Sequence, residues 1–252
     1  MTDLSDMDPT DQDPSDVDGP DTDPSEAAPS DPGATVMALL APGAPFEMAV
    51  EDVLGEPMQV FVQRARSLRE LLEQAGRFGD TDYAIFHDGD ERRALTFADH
   101  ERKVASVAAA MADRGVTAGD RVAILAANCP EWIITFWATV SLGAVAVACN
   151  GWWTRDEIKH ALAHTTPKLL VADAKRLARL GGADPGMPVV VIEEDFADLE
   201  SFAPDAPLPG VAIDEDQPAL LQFTSGTTGR PKAAVLSHRN VVAFVQVVSF
   251  LG

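Results

Sequence analysis

The sequence predicts an α/β fold, a mainly parallel sheet with flanking helices, preceded by a disordered acidic tail. Short apolar runs of strand length alternate with segments of helical period, which implies right-handed crossovers between parallel strands. One such run, Ala144 to Ala148, is small and apolar throughout, as suits a strand buried on both faces. Charge is also distributed unevenly. No Lys or Arg precedes Arg64, whereas 15 of the 40 acids do, so 25 acids face 19 bases from Arg64 onward. The net charge of −21 thus overstates the acidity of the folded part. At 252 residues and 46% hydrophobic content, the chain can bury a substantial core in one large domain or two small ones.

The division expected is a tail over 1–33 and a folded region over 34–252. In the tail, Asp6-Met7-Asp8-Pro9, Asp11-Gln12-Asp13-Pro14, Asp16-Val17-Asp18-Gly19 and Asp21-Thr22-Asp23-Pro24 repeat with a period of five. Mutual repulsion, helix-breaking prolines and the scarcity of apolar side chains keep such a segment unfolded. The alternating aspartates lack the fixed glycine and distal glutamate of a calcium loop. An acidic block also argues against a nucleic-acid partner, which calls for a basic face. The acidic N-terminus fits no signal peptide. Cys129 and Cys149 stand alone, which predicts two buried thiols in a reducing, cytoplasmic setting and neither a disulfide nor a zinc site.

Order is expected from about Met37, with no assignment up to Gly55. Leu68, Leu71, Leu72 and Ala75 recur at helical spacing within Ser67 to Phe78. Tyr83 to His87 reads as a strand, Asp88-Gly89 as a turn, and Arg93 to Thr96 as the hairpin partner. Thr96 with Asp99 caps a helix striped by Phe97, Val104, Ala108 and Met111 and ended by Gly115. Arg121 to Ala126 is a compact strand. Trp132 to Cys149 carries no charge over 18 positions, about the length of a marginal membrane span. Pro130 in a first helical turn and Gly143 at a helix end divide it into a helix and a buried strand instead. Thr135, Thr139 and Ser141 also suit a membrane poorly.

Thr154-Arg155-Asp156-Glu157 is a capping box opening a helix to about His164. Lys168 to Ala172 is a strand, Ala174 to Leu180 a short helix, and Pro188 to Ile192 a further strand. The acidic, proline-containing stretch Asp195 to Asp216 reads as a connecting loop. Ala219 to Phe223 reads as a short buried strand, and Ser237 caps a last helix bearing Val241, Phe244, Val245 and Val248.

The chemistry concentrates after that short strand, in Thr224-Ser225-Gly226-Thr227-Thr228-Gly229-Arg230-Pro231-Lys232. Gly226 and Gly229 allow backbone N–H groups to approach a ligand closely, and successive N–H groups turned inward form an anion site. Thr224, Ser225, Thr227 and Thr228 add hydroxyl donors, and Lys232 adds a point charge suited to phosphate. The spacing is not the Walker pattern. Pro231 also keeps Arg230 out of the helical region, so no helix starts on the loop. A plain surface turn between two strands is the competing reading.

These residues resemble the phosphate-loop signature of the adenylate-forming superfamily: acyl-CoA synthetases, adenylation domains and luciferases. Leu236-Ser237-His238-x-Asn240 is similar to its usual continuation, and Ala233 departs from it where glycine is common. The resemblance runs from about Ser67 to the end. It implies the N-terminal part of the large adenylate-forming domain, with a carboxylic acid, ATP, Mg2+ and CoA as reactants and cofactors. It further implies that Thr224, Ser225, Gly226, Thr227, Thr228, Gly229 and Lys232 hold the ATP phosphates. Family members are longer, and their adenine, ribose and acyl contacts come later, so a catalytically silent remnant or a phosphate-binding interaction module is the alternative. No catalytic residue or metal ligand is assigned, and the oligomeric state is left open.

Three other groups stand out in the sequence. His160 and His164 lie one helical turn apart, but Ile158 and Leu162 mark the buried face, so the histidines are read as exposed. Trp152-Trp153 either lines a pocket or covers the core; the segment resembles that of fatty-acyl and related CoA ligases. Arg230, Lys232, His238 and Arg239 form the densest positive group near the loop, a local well for ATP in an acidic protein. Arg239 equally fits the surface of the last helix.

Overall fold

The structure, a computed structural model, describes residues 32–224 and 231–251. The repeats of the acidic tail and Ser225 to Arg230 lie outside the described residues. The elements run in chain order as α1 (Pro32–Leu39), β1 (Met48–Val53), β2 (Glu56–Phe61), α2 (Leu68–Ala75), β3 (Asp82–Asp88), β4 (Glu91–Thr96) and α3 (Phe97–Asp113). There follow β5 (Arg121–Leu125), α4 (Pro130–Ser141), β6 (Val145–Ala148), α5 (Arg155–Thr165), β7 (Leu169–Ala172), α6 (Ala174–Leu177) and β8 (Val189–Val191). The last four are α7 (Ile192–Glu200), β9 (Pro218–Thr224), β10 (Lys232–Ser237) and α8 (His238–Leu251).

Six strands form one sheet in the order β10-β9-β6-β5-β7-β8. All neighbours in it are parallel except β9 and β10, which are antiparallel. Side chains on successive strand residues face opposite ways, so each central strand feeds two cores. Val122, Leu169 and Val171 pack with Val104, Met111, Ile134 and Phe196 from α3, α4 and α7. Ala123, Leu125, Leu170 and Ala172 turn onto Ile158, Ala161 and Leu162 of α5, together with Trp153. The uncharged stretch is divided as the sequence predicts. Thr135 and Thr139 lie on α4, fully buried, and their hydroxyls donate to the carbonyls of Glu131 and Thr135, each at 2.7 Å. Among the described residues no helix is long and apolar enough to cross a membrane.

The caps predicted at Thr96 and Thr154 are in place: Thr96 accepts from Asp99 N–H and Thr154 from Glu157 N–H. Ser67, not predicted as a cap, accepts from Glu70 N–H in the same way. The Glu157 carboxylate receives the Thr154 N–H and hydroxyl in return, each at 2.8 Å, which also holds its carboxyl below the usual range. Thr154→Ala removes the hydroxyl half of that box, leaving the backbone N–H of residue 154 on the Glu157 carboxylate, and is expected to lower stability by about 1 kcal/mol in chemical denaturation; an unchanged midpoint would contradict the role given to Thr154.

Several expectations are corrected. Helical order begins at Pro32, ahead of Met37, and β1 and β2 form an antiparallel hairpin in the unassigned stretch and just beyond it. The strand expected over Pro188 to Ile192 covers only Val189–Val191, and Ile192 already belongs to α7. Helix α7 therefore occupies the start of the presumed loop from Asp195. It forms because Glu193, Glu194 and Asp195 favour the positive end of the helix dipole and Phe196 and Leu199, three apart, bury on α3. The segment Ala174 to Leu180 is one turn of α-helix continued by a tighter turn.

β9 is not the buried strand expected: within it only Ala219 is fully buried, against Val242 of α8, and the rest is half-buried or exposed. Its neighbour β10 is an edge strand with Val235 58% exposed, and Phe244 and Leu251 of α8 are also in solvent. Beyond Ala219, Leu220 is partly buried against the cluster that holds Val242 of α8, and Leu221 and Phe223 pack against the cluster that holds Trp153.

Candidate functional site

β9 runs parallel to β6, so Thr224 emerges at the same sheet edge as the carboxyl ends of β5, β6 and β7. In open α/β sheets that edge is where ligands bind. The chain returns as β10 with Lys232 directly opposite Thr224, and the Thr224 hydroxyl reaches the Lys232 carbonyl at 3.4 Å. As Pro231 predicts, Lys232 opens a strand and not a helix. Of the predicted loop, Thr224 and Lys232 are thus brought together, both exposed, at the open end of a hairpin. Ser225, Gly226, Thr227, Thr228 and Gly229 lie outside the described residues.

The hairpin rests on specific supports. The Phe223 ring packs edge-on against Trp153, with centroids 4.9 Å apart. At the far end of β10, Ser237 accepts from the Asn240 N–H while the Asn240 side chain accepts from the Ser237 N–H, which starts α8. His238 is fully buried, and its Nδ1 accepts the Leu68 N–H at 3.1 Å, joining α8 to α2. Burial, with the Arg69 charge adding to it, lowers the His238 pKa to about 4.

Arg239 is committed to a charged cluster. Its guanidinium binds Asp216 at 2.5 and 2.8 Å and Glu215 at 2.8 Å. Arg64, whose side chain is 2% exposed, binds Glu215 at 2.9 and 3.0 Å, Glu51 at 2.7 and 3.1 Å, and the Phe61 carbonyl at 2.6 Å. Arg66 adds a contact to Glu215 at 2.8 Å. Hydrogen bonding from Arg64 pulls the Glu51 pKa down. Burial opposes ionisation of Glu215, but Arg64 and Arg66 outweigh it and hold that carboxyl low as well. The positive well assigned to Arg230, Lys232, His238 and Arg239 is therefore corrected: Arg230 lies outside the described residues, burial keeps His238 neutral at neutral pH and Arg239 is neutralised, leaving Lys232 as its one free cation among the described residues.

The cysteines follow the thiol reading with one adjustment, since Cys149 is buried but Cys129 only half-buried. Burial raises each thiol to about 12, so neither is a nucleophile at neutral pH. His164 is exposed and His160 half-buried, their rings stacked 5.8 Å apart. Among the described residues no group of three or more His, Cys, Asp or Glu could hold a metal ion. The tryptophan pair does both things weighed for it: Trp153 is core, whereas Trp152 is 84% exposed.

Residues 71–251 match the model of a family described as AMP-binding enzyme. The chain belongs to that family. It is 35% identical over 174 residues to 4-coumarate–CoA ligase 2 of Oryza sativa subsp. japonica, which covers 61% of this chain and 31% of the relative. It is 32% identical over 189 residues to the medium/long-chain-fatty-acid–CoA ligase FadD6 of Mycobacterium tuberculosis, covering 71% and 30%. The N-terminal domain of FACL13 from Mycobacterium tuberculosis superposes with a TM-score of 0.59 at 26% identity, covering 69% of this chain and 45% of that one. The chain spans about a third of the length of the curated relatives it matches. Its six-stranded sheet and flanking helices are thus the N-terminal portion of an AMP-binding fold.

Proposed function

We propose that the protein takes part in ATP-dependent activation of a carboxylic acid, a fatty or related acyl acid, first to acyl-AMP and then to acyl-CoA. In this reading residues 34–252 form part of the adenylate-forming domain and 1–33 an acidic tail. The carboxylate attacks the α-phosphate of MgATP with loss of pyrophosphate, and the CoA thiol then displaces AMP. Thr224, Ser225, Gly226, Thr227, Thr228, Gly229 and Lys232 hold the β- and γ-phosphates and offset the charge that grows on the leaving pyrophosphate. The loop acts by position and charge, not as a nucleophile. Magnesium is taken to arrive on the triphosphate, because the described residues offer no carboxylate cage and Mg2+ is commonly held through substrate phosphates.

The observation that supports this most directly is the pairing of Thr224 with Lys232 at the carboxyl edge of the sheet, with family membership around it. Relatives named for coumarate and for medium and long-chain fatty acids leave the aryl or alkyl character of the acid to experiment. Titration of the chain with MgATP tests the loop: Lys232→Ala is expected to weaken binding about tenfold by removing a charge-assisted contact. Equal affinity in wild type and Lys232→Ala would overturn the assignment. Carboxylate-dependent ATP–pyrophosphate exchange then separates the catalytic reading from a phosphate-binding module without turnover, the alternative that the partial coverage of the relatives keeps in play.

A further inference from the structure

The two arms of the hairpin that carries Thr224 and Lys232 are pinned unevenly. β9 is fixed from behind: it pairs with β6, Ala146 opposite Leu220 and Ala148 opposite Gln222, and Phe223 rests on Trp153. Among the described residues β10 has β9 as its one strand neighbour, and its own side chains do little to hold it. Lys232, Ala234 and Val235 are exposed, while Ala233, Leu236 and Ser237 are half-buried. A strand that buries so little specifies its register weakly, and a slip of one residue turns every side chain to the other face. The irregularity between Leu236 and Ser237 gives β10 a place to take up or release a residue.

The ties between the arms gather at the base of the hairpin. The Arg239 N–H donates to the Glu215 carbonyl at 2.7 Å, and the His238 N–H to that of Gln217 at 3.3 Å. Nearly every residue offers the same backbone groups, so these bonds alone do not distinguish one register from the next. The Arg239 side chain does. Its Nε and Nη2 grip the Asp216 carboxylate at 2.5 and 2.8 Å, and Nη2 also reaches Glu215 at 2.8 Å. A planar fork of this kind fits a carboxylate in a defined orientation, and with the side chain 11% exposed little water competes for it. His238 acts elsewhere: its Nδ1 holds α8 to α2 through the Leu68 N–H, not β10 to β9.

We propose that Arg239 is a positioning residue for Lys232: its grip on Asp216 and Glu215 sets the register of β10 on β9 and keeps the Lys232 side chain on the face where Thr224 lies. In the register observed, Lys232 is directly opposite Thr224, and directly opposed residues share a face of the sheet. A slip of one residue places Ala233 there and turns Lys232 away. The proposal rests on the phosphate role given above to Lys232. It gives Arg239, neutralised by its two carboxylates, a part in binding without a contact to the ligand.

Cross-strand disulfides read the register directly. Gln222 and Ala234 lie opposite one another and are both exposed, so Gln222→Cys/Ala234→Cys is expected to oxidise readily. Gln222→Cys/Ala233→Cys and Gln222→Cys/Val235→Cys place their thiols on opposite faces and are expected to stay reduced. Adding Arg239→Ala should slow the first pair and bring up one of the other two. MgATP titration supplies the second measurement. Arg239→Ala should weaken binding about tenfold, as Lys232→Ala does, and the double variant no further, because the same contact is lost in each. Oxidising the Gln222→Cys/Ala234→Cys pair in the Arg239→Ala protein should restore the affinity, whereas restoring it in the Lys232→Ala protein should be impossible. Asp216→Asn weakens the fork from its other side and should shift both readouts in the same direction, which covers the case of an Arg239→Ala protein that fails to fold by circular dichroism. Disulfide yields unmoved by either variant, or affinity losses that multiply in the double variant, would overturn the proposal alone. MgATP affinity indifferent to Lys232→Ala would overturn it together with the phosphate reading.

Discussion

Arg64→Ala is expected to destabilise the fold by about 3 kcal/mol, more than the removal of any helix cap. The side chain is 2% exposed and makes five hydrogen bonds, four to two carboxylates and one to the Phe61 carbonyl. Removing it strands Glu215, 14% exposed, with less counter-charge, and breaking a buried pair from one side leaves an uncompensated charge. Glu51 is 36% exposed and regains water, which keeps the figure at the lower end of that class. Arg66 and Arg239 remain on Glu215 and cushion the loss. The consequence reaches the candidate site, because Glu215 and Asp216 lead into β9 and Arg239 leads out of β10. Lowered stability should therefore be accompanied by weaker MgATP binding. Arg64→Lys restores the charge but not the planar fork, so it should recover only part of either loss. Urea denaturation of the three proteins measures this. A midpoint for Arg64→Ala within about 0.5 kcal/mol of wild type would show that the cluster is a solvated surface network.

How legible these features were depended on how local their causes are. The side-chain cap at Thr96, the capping box at Thr154 and the helix-to-strand division at Gly143 act within a few residues, and each was readable in the sequence. Gly143 has φ +68°, the left-handed value that favours glycine at a helix end. The hairpin of β1 and β2 was not readable, because its turn carries Leu54 at φ 55° beside Gly55, and no Asn-Gly or Asp-Gly marks it. Helix α7 hid behind its acids, since only Phe196 and Leu199 report its buried side. Of the site, the loop residues stood out as a motif, and Pro231 correctly forbade a helix after them. Their charged support did not, for Arg64 and Glu215 are 151 positions apart and nothing in either neighbourhood announces the other. Adjacent tryptophans at 152 and 153 signalled either pocket or core, and only the fold separated the buried Trp153 from the exposed Trp152.

Acid should loosen this protein well before its carboxylates titrate. His100 and His238 are 1% and 0% exposed, and burial is the main cause that lowers each to about 4. His100 is wedged against Tyr83, ring centroids 4.3 Å apart, with Trp137 edge-on and no hydrogen bond to either ring nitrogen. His238 uses Nδ1 to accept the Leu68 N–H and faces the Arg69 charge. A proton on Nδ1 would remove that acceptor. In the unfolded chain both imidazoles titrate near 6.5, so between about pH 6.5 and 4 the unfolded state binds protons that the native state refuses. Stability is then complete above 6.5, falls with pH through that window, and levels off for these groups below the folded value. At pH 5 the loss is about 2 kcal/mol for each histidine, a large share of the ~5–15 kcal/mol typical of a domain. Urea denaturation at pH 7.5, 6 and 5 should show a progressive fall, and His100→Phe should remove roughly half of it by replacing the titrating ring with an apolar one. An equal midpoint at pH 7.5 and pH 5 in wild type would mean that both rings accept a proton in place, and that the packing of α3 on β3 and of α8 on α2 is looser than the structure has it.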